Sequence, residues 1–160
     1  MVKVREVYFY TYSPGNYNYT PQAPSAIETA ATQSYVYNEP VIELYDSDKK
    51  KQVGYISFSG QARADPLNVG SVNTELTYET GVIYITTGKS VDSDKILGSL
   101  CFNTTYIAQY NADNGFIRID DTTSTATVAS GKYSGKIVSV TQKLVNVNKC
   151  IFKITVEYEK

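Results

Sequence analysis

An all-β domain is what this sequence predicts, and three observations predict it. Apolar and polar residues alternate with period two in run after run, the signature of strands with one buried face. Turn residues separate those runs at short intervals, so that about eight strands follow residue 40, the pattern of a barrel or a sandwich. Helix signals are confined to one place, Ser25 with Glu28 as a capping box ahead of Ala30 and Ala31, which predicts a short helix ending near Gln33, or a loop.

In chain order, Val7-Tyr8-Phe9-Tyr10-Thr11-Tyr12 is a strand-like aromatic run, broken by Ser13-Pro14-Gly15. Residues 16–24, with Tyr17, Tyr19, Pro21 and Pro24, form an extended stretch that Tyr35 and Tyr37 close. Residues 41–45 and 53–58 are strands on either side of the turn Asp46-Ser47-Asp48-Lys49. Residues 75–78 and 82–86 flank Gly81 and read as two strands, and 96–102 with 105–108 as another pair. Residues 116–119 follow the turn 111–115, and 125–128 lead into Ser130-Gly131-Lys132-Tyr133-Ser134-Gly135. Residues 137–141 and 150–158 make a closing hairpin across the polar loop 146–149. The last strand is the clearest: Cys150, Phe152, Ile154, Val156 and Tyr158 share one face, and Ile151, Lys153, Thr155, Glu157 and Glu159 the other.

A chain of 160 residues with 42% hydrophobic and 19% charged residues suits one globular domain. Fifteen Lys and Arg balance sixteen Asp and Glu, so clustered positive charge for a nucleic-acid backbone is missing, and no nucleic-acid partner is expected. Lys49-Lys50-Lys51 beside Asp46 and Asp48 reads as a solvated turn. No run is long enough for a membrane-spanning helix, so no membrane insertion is expected. Met1-Val2-Lys3-Val4-Arg5-Glu6 carries charges where a secretory signal needs an apolar stretch, so synthesis in the cytoplasm is expected, compatible with a virion or another assembled particle.

The absence of histidine removes the usual general base, the Ser-His-Asp and Cys-His arrangements and the usual catalytic zinc ligands. The balance leans against an enzyme, and no cofactor or metal is expected. Asp46-Ser47-Asp48, Asp92-Ser93-Asp94 and Asp120-Asp121 lack the later ligands of a calcium loop and read as turns. Asn18-Tyr19-Thr20 and Asn103-Thr104-Thr105 match the glycosylation acceptor pattern by composition alone. Cys101 and Cys150 read as two small buried hydrophobes, with a bridge between strands as the alternative.

These readings divide the chain into an N-terminal arm, residues 1–38, and a β domain, residues 39–160. Tyrosine offers a large ring and a hydroxyl at low entropy cost, so the arm reads as adhesive. Its candidate interface residues are Val7, Tyr8, Phe9, Tyr10, Tyr12, Tyr17, Tyr19, Tyr35 and Tyr37, docking on a second copy or on the arm's own domain.

Residues 41–158 resemble the allene oxide cyclase and dirigent-type barrels. The likeness is carried by Val41-Ile42-Glu43-Leu44-Tyr45-Asp46 with Val53-Gly54-Tyr55, by Gly98-Ser99-Leu100-Cys101-Phe102-Asn103 with Thr105-Tyr106, and by Asn114-Gly115-Phe116-Ile117-Arg118-Ile119. Gly131, Tyr133 and Gly135 stand where that family has a glycine-rich turn, although its other glycines and its arginine are missing here. The resemblance implies an eight-stranded antiparallel barrel with an apolar interior, commonly trimeric, and a sandwich becomes the runner-up. It transfers no activity, because the acidic pocket residues of dirigent proteins have no secure counterpart; Glu43 and Asp46 are the nearest.

Two functions follow as expectations. The first is a non-enzymatic assembly subunit of coat, capsid or filament type, a barrel that binds copies of itself through its arm. The second is a barrel holding a small hydrophobic ligand, with cyclase, isomerase or dirigent-like activity. For that reading the candidate cavity residues are Glu43, Tyr45, Tyr55, Tyr78, Cys101 and Tyr106.

Overall fold

The computed structural model describes residues 2–11, 18–22, 33–47, 49–64, 74–87, 95–111, 115–118 and 121–160; for 18–22, 33–40, 60–64, 74–77, 107–111 and 115–118 it describes the backbone course. These residues form eleven strands: β1 (Lys3–Thr11), β2 (Asn18–Gln22), β3 (Gln33–Tyr45), β4 (Gln52–Ala64), β5 (Thr74–Thr86), β6 (Ile96–Asn111), β7 (Gly115–Arg118), β8 (Thr122–Thr125), β9 (Val128–Gly131), β10 (Val138–Asn146) and β11 (Ile151–Glu159). All pairings are antiparallel, along the order β7-β6-β5-β4-β3-β1-β11-β10-β8.

The sheet curls until its ends share a stave. β8 pairs with β10, Thr125 opposite Ser139, and β9 pairs with β6, Val128 opposite Cys101. Between them Ala126 N–H donates to Val138 O at 2.9 Å and Thr127 N–H to Cys101 O at 2.7 Å. The segment 122–131 therefore changes partner midway and closes an eight-staved antiparallel barrel of β1, β3, β4, β5, β6, β8–β9, β10 and β11. Closure satisfies edges that an open sheet leaves unpaired. β3, β4 and β5 have 13 residues each and β6 has 16, against nine in β1, β10 and β11, so the four long strands overrun the ring. β2 on β3 and β7 on β6 extend that overhang.

The closing hairpin forms as its periodicity requires, with Val138 opposite Tyr158 and Leu144 opposite Phe152. Elsewhere the short strands expected from turn residues merge into longer ones. Gly81 lies in the middle of β5, not between two strands; it faces the interior opposite Phe102, whose ring would stand 2.4–2.9 Å from a Cβ there. The aromatic ring covers the glycine from the neighbouring strand. Asn103 and Thr104 likewise sit inside β6.

The division at residue 38 does not follow the fold, because that position lies within β3. Residues 3–11 are a stave and not a detached arm: they pair with β11 from Lys3 opposite Glu159 to Thr11 opposite Ile151. The segment expected as a short helix, residues 25–33, lies outside the described residues except for Gln33, which opens β3.

Inward positions alternate along every described stave and pack into one cluster: Tyr8 and Tyr10 from β1, Leu44 from β3, Ile56 and Phe58 from β4, Ile83 and Ile85 from β5, Leu100 and Phe102 from β6, and their partners from β10 and β11. The tertiary link that the sequence hides is the role of β1, which threads two tyrosines through the centre.

Candidate functional site

Parity decides which residues line the barrel. Leu44 and Ile56 are fully buried, so Glu43, Tyr45 and Tyr55 face outward; Leu100 and Phe102 are fully buried, so Cys101 faces outward; buried Glu79 puts Tyr78 outside, 49% exposed. Five of the six expected cavity residues thus lie on the outer surface, where Tyr45 donates a hydrogen bond to Glu43 Oε2. Tyr106 alone is on the inner face, and its hydroxyl donates to Glu79 Oε2 at 2.9 Å. Glu79 and Thr104, opposite each other in register, are both buried, and Thr104 Oγ1 has no partner among the described residues.

Of the expected arm residues, Tyr8 and Tyr10 are corrected to core positions, whereas Val7 and Phe9 face outward with Phe9 opposite Tyr45. Tyr19 pairs with Tyr37 and Tyr35 with Pro21 on the β2–β3 ladder, and Tyr12 and Tyr17 lie outside the described residues. The two thiols are free and face opposite sides of the barrel wall, which removes the bridge. Burial pushes the Cys150 thiol pKa up.

Two polar groups hold the interior together. Around the middle, Tyr10 stacks on Phe152 with centroids 5.1 Å apart, lies tilted against Phe58 at 5.7 Å, and donates from its hydroxyl to Gln142 Oε1 at 3.1 Å. Towards the glycine turn, Tyr133 is fully buried, donates to Glu6 Oε1 at 2.7 Å, and sets its ring edge-on to Tyr158 at 5.5 Å. Lys132 Nζ reaches the other oxygen, Glu6 Oε2, at 2.5 Å. The turn that delivers Tyr133 depends on Gly131, whose φ of +64° suits glycine and whose Cβ would stand 2.4 Å from Leu97 O.

Burial first, then the Glu6 charge for Tyr8 and the neighbouring Tyr8 followed by Glu6 for Tyr133, raise both pKa values above the ordinary 10.0, while the hydrogen bond with Tyr133 offsets part of the rise at Tyr8. Both hydroxyls stay protonated as donors, and the Glu6 carboxylate is met by a phenol and an ammonium. The cluster is satisfied within itself, so its chemistry is that of a latch. A raised folded pKa stabilises the fold fully below the unfolded value of 10.0 and ceases to do so as pH rises beyond it. The midpoint of denaturant unfolding is therefore expected to hold steady through neutral pH and to fall above pH 10, with the buried phenols ionising only as the fold opens. Ultraviolet titration of tyrosinate beside circular dichroism checks this; complete tyrosine ionisation with the fold intact contradicts it.

Glu6, Glu79 and Tyr133 were missed as interior polar residues. The signal for Glu6 was present, since it shares parity with Tyr8 and Tyr10. Among the described residues no three His, Cys, Asp or Glu side chains gather closely enough to hold a metal ion. No helix among them is long and apolar enough to cross a membrane.

No family model matches the chain, and no curated protein matches it. Among solved structures, one described as a pyocyanin demethylase aligns over 98% of this chain and 98% of its own, with 13% identity and a TM-score of 0.49, a level of similarity that brings neither activity nor ligand with it.

Proposed function

We propose that this protein is a non-enzymatic, self-associating structural subunit. The supporting observation is the contrast between a packed inside and an adhesive outside. Ring and aliphatic side chains pack into one cluster in the described interior, while Val41, Tyr78, Leu97 and Val128 stand 49–60% exposed on the outer surface, and Val2, Ile137, Val145 and Val147 add further exposed apolar groups elsewhere. Apolar groups left on the outside are what a docking copy would cover. Because residues 3–11 are a stave, an arm that reaches a neighbour is restricted to the segment after Thr11, of which β2 is the described part.

The competing reading, a barrel around a small hydrophobic ligand, has Glu79 and Tyr106 as its inward polar groups and less support, since the other expected cavity residues point outward. The likeness to allene oxide cyclase and dirigent barrels belongs to this proposal as a matter of shape. Light scattering across a dilution series tests the assembly reading. The expected mass exceeds that of one 17.7 kDa chain and rises with concentration. A mass of one chain throughout overturns it.

A further inference from the structure

Charge is segregated around the barrel. The outer faces of β1, β10 and β11 carry Lys3, Arg5, Lys143, Lys153, Glu157 and Glu159, with Lys3 paired to Glu157 at 3.2 Å. On the other side, no outward position of β4, β5, β6 or β9 whose side chain is described, within 53–59, 78–86, 97–105 and 128–130, is Asp, Glu, Lys or Arg. Two adjacent rows cross this face in register: Tyr55, Tyr84, Ser99 and Ser130, then Ser57, Val82, Cys101 and Val128. The remaining positions are valine, leucine, tyrosine and small polar residues.

From this we infer that the outer face of β4–β5–β6–β9 is the surface on which a second copy of the chain docks, face to face. The inference rests on the self-association reading above. Three features select a second copy. A two-fold contact must be complementary to itself, and an uncharged face meets its own image with no like-charge repulsion. Its polar groups already satisfy one another: Ser99 Oγ lies 2.5 Å from Ser130 Oγ, and Thr80 Oγ1 donates to Asn103 Oδ1 at 2.7 Å. Covering the face therefore strands few donors. Charge depletion with tyrosine enrichment is also the composition of interface centres.

The area suits a weak, concentration-dependent dimer. Three staves with about eight residues each and the four residues of β9, about 4.8 Å apart, span roughly 440 Å² of sheet. Two such faces bury roughly 900 Å², the size of a transient contact.

The test places a charge at the centre of the face. Val82→Lys and Ser57→Glu, on outward half-buried positions, are compared with Thr141→Lys on the charged side by sedimentation equilibrium over a dilution series, with circular dichroism as the folding check. Val82→Lys and Ser57→Glu are each expected to weaken association at least about tenfold, the scale of one uncompensated interfacial charge. Thr141→Lys is expected to associate as the parent does, and an equimolar mixture of Ser57→Lys and Ser57→Glu to recover pairing that neither shows alone. Should the parent associate while both face variants follow its curve, the face is not the interface, although self-association stands. A parent that stays monomeric at every concentration overturns both.

Discussion

Replacing Tyr133 by alanine is expected to lower the free energy of unfolding by about 3–5 kcal/mol, the range for removing a fully buried aromatic ring. The ring occupies the interior against Tyr158, with the Lys132 ammonium 5.2 Å from its centroid, so its loss opens a void between β6, β11 and the glycine turn. The hydroxyl adds a second penalty. Without it Glu6, whose side chain is 18% exposed, keeps Lys132 as its counter-charge and loses a 2.7 Å hydrogen bond. Tyr133→Phe separates the two, because it keeps the ring and removes the donor; a loss of about 1–3 kcal/mol is expected from leaving a partly buried carboxylate oxygen unpaired. Denaturant unfolding of both variants is the measurement. If alanine costs less than phenylalanine is expected to, the ring is not a core element and the latch description is wrong.

Gly54→Ala is expected to be as damaging by a different route. Gly54 faces inward on β4 opposite Ile85, and a Cβ there would stand 1.9 Å from the Tyr84 carbonyl oxygen and 3.0 Å from its carbon. These are backbone atoms, which cannot rotate away as a side chain can. β4 and β5 would have to separate, losing ladder hydrogen bonds and the packing of Ile56 and Ile85, at about 3 kcal/mol or more, the upper end of overpacking effects. Gly135→Ala is the contrasting control. Its φ is +76° but nothing stands within 4 Å, so only the backbone strain of about 1 kcal/mol applies. Thermal unfolding that ranks the two substitutions equally would falsify the close-approach account.

Strand identity was legible where one face is apolar throughout. Cys150, Phe152, Ile154, Val156 and Tyr158 read as one face in the sequence, and all are at most 9% exposed in the structure. A one-residue slip would turn that whole set outward, so burial enforces the register that the pattern announces. The pattern failed at tyrosine, which suits either face. Tyr8, Tyr10 and Tyr133 are core residues, whereas Tyr45, Tyr55 and Tyr84 are on the outside, and residue type does not distinguish them. Glycine misled for a related reason: at Gly81 the missing side chain makes room for the Phe102 ring, and it ends nothing.

By itself, then, the sequence determined the all-β class, the closing hairpin and the barrel expectation, along with the absence of histidine chemistry. These are properties of composition and local period, which a strand expresses wherever it lies. Only the tertiary structure decided that residues 3–11 are a stave, which faces carry the tyrosines, and that the described outward charges of the staves stand on β1, β3, β10 and β11. Those depend on pairings such as Lys3 with Glu159, between the two ends of the chain, and on the partner switch from β10 to β9's neighbour β6. A contact between residues so far apart leaves no local periodic trace, because it is selected by the packing of the whole interior at once.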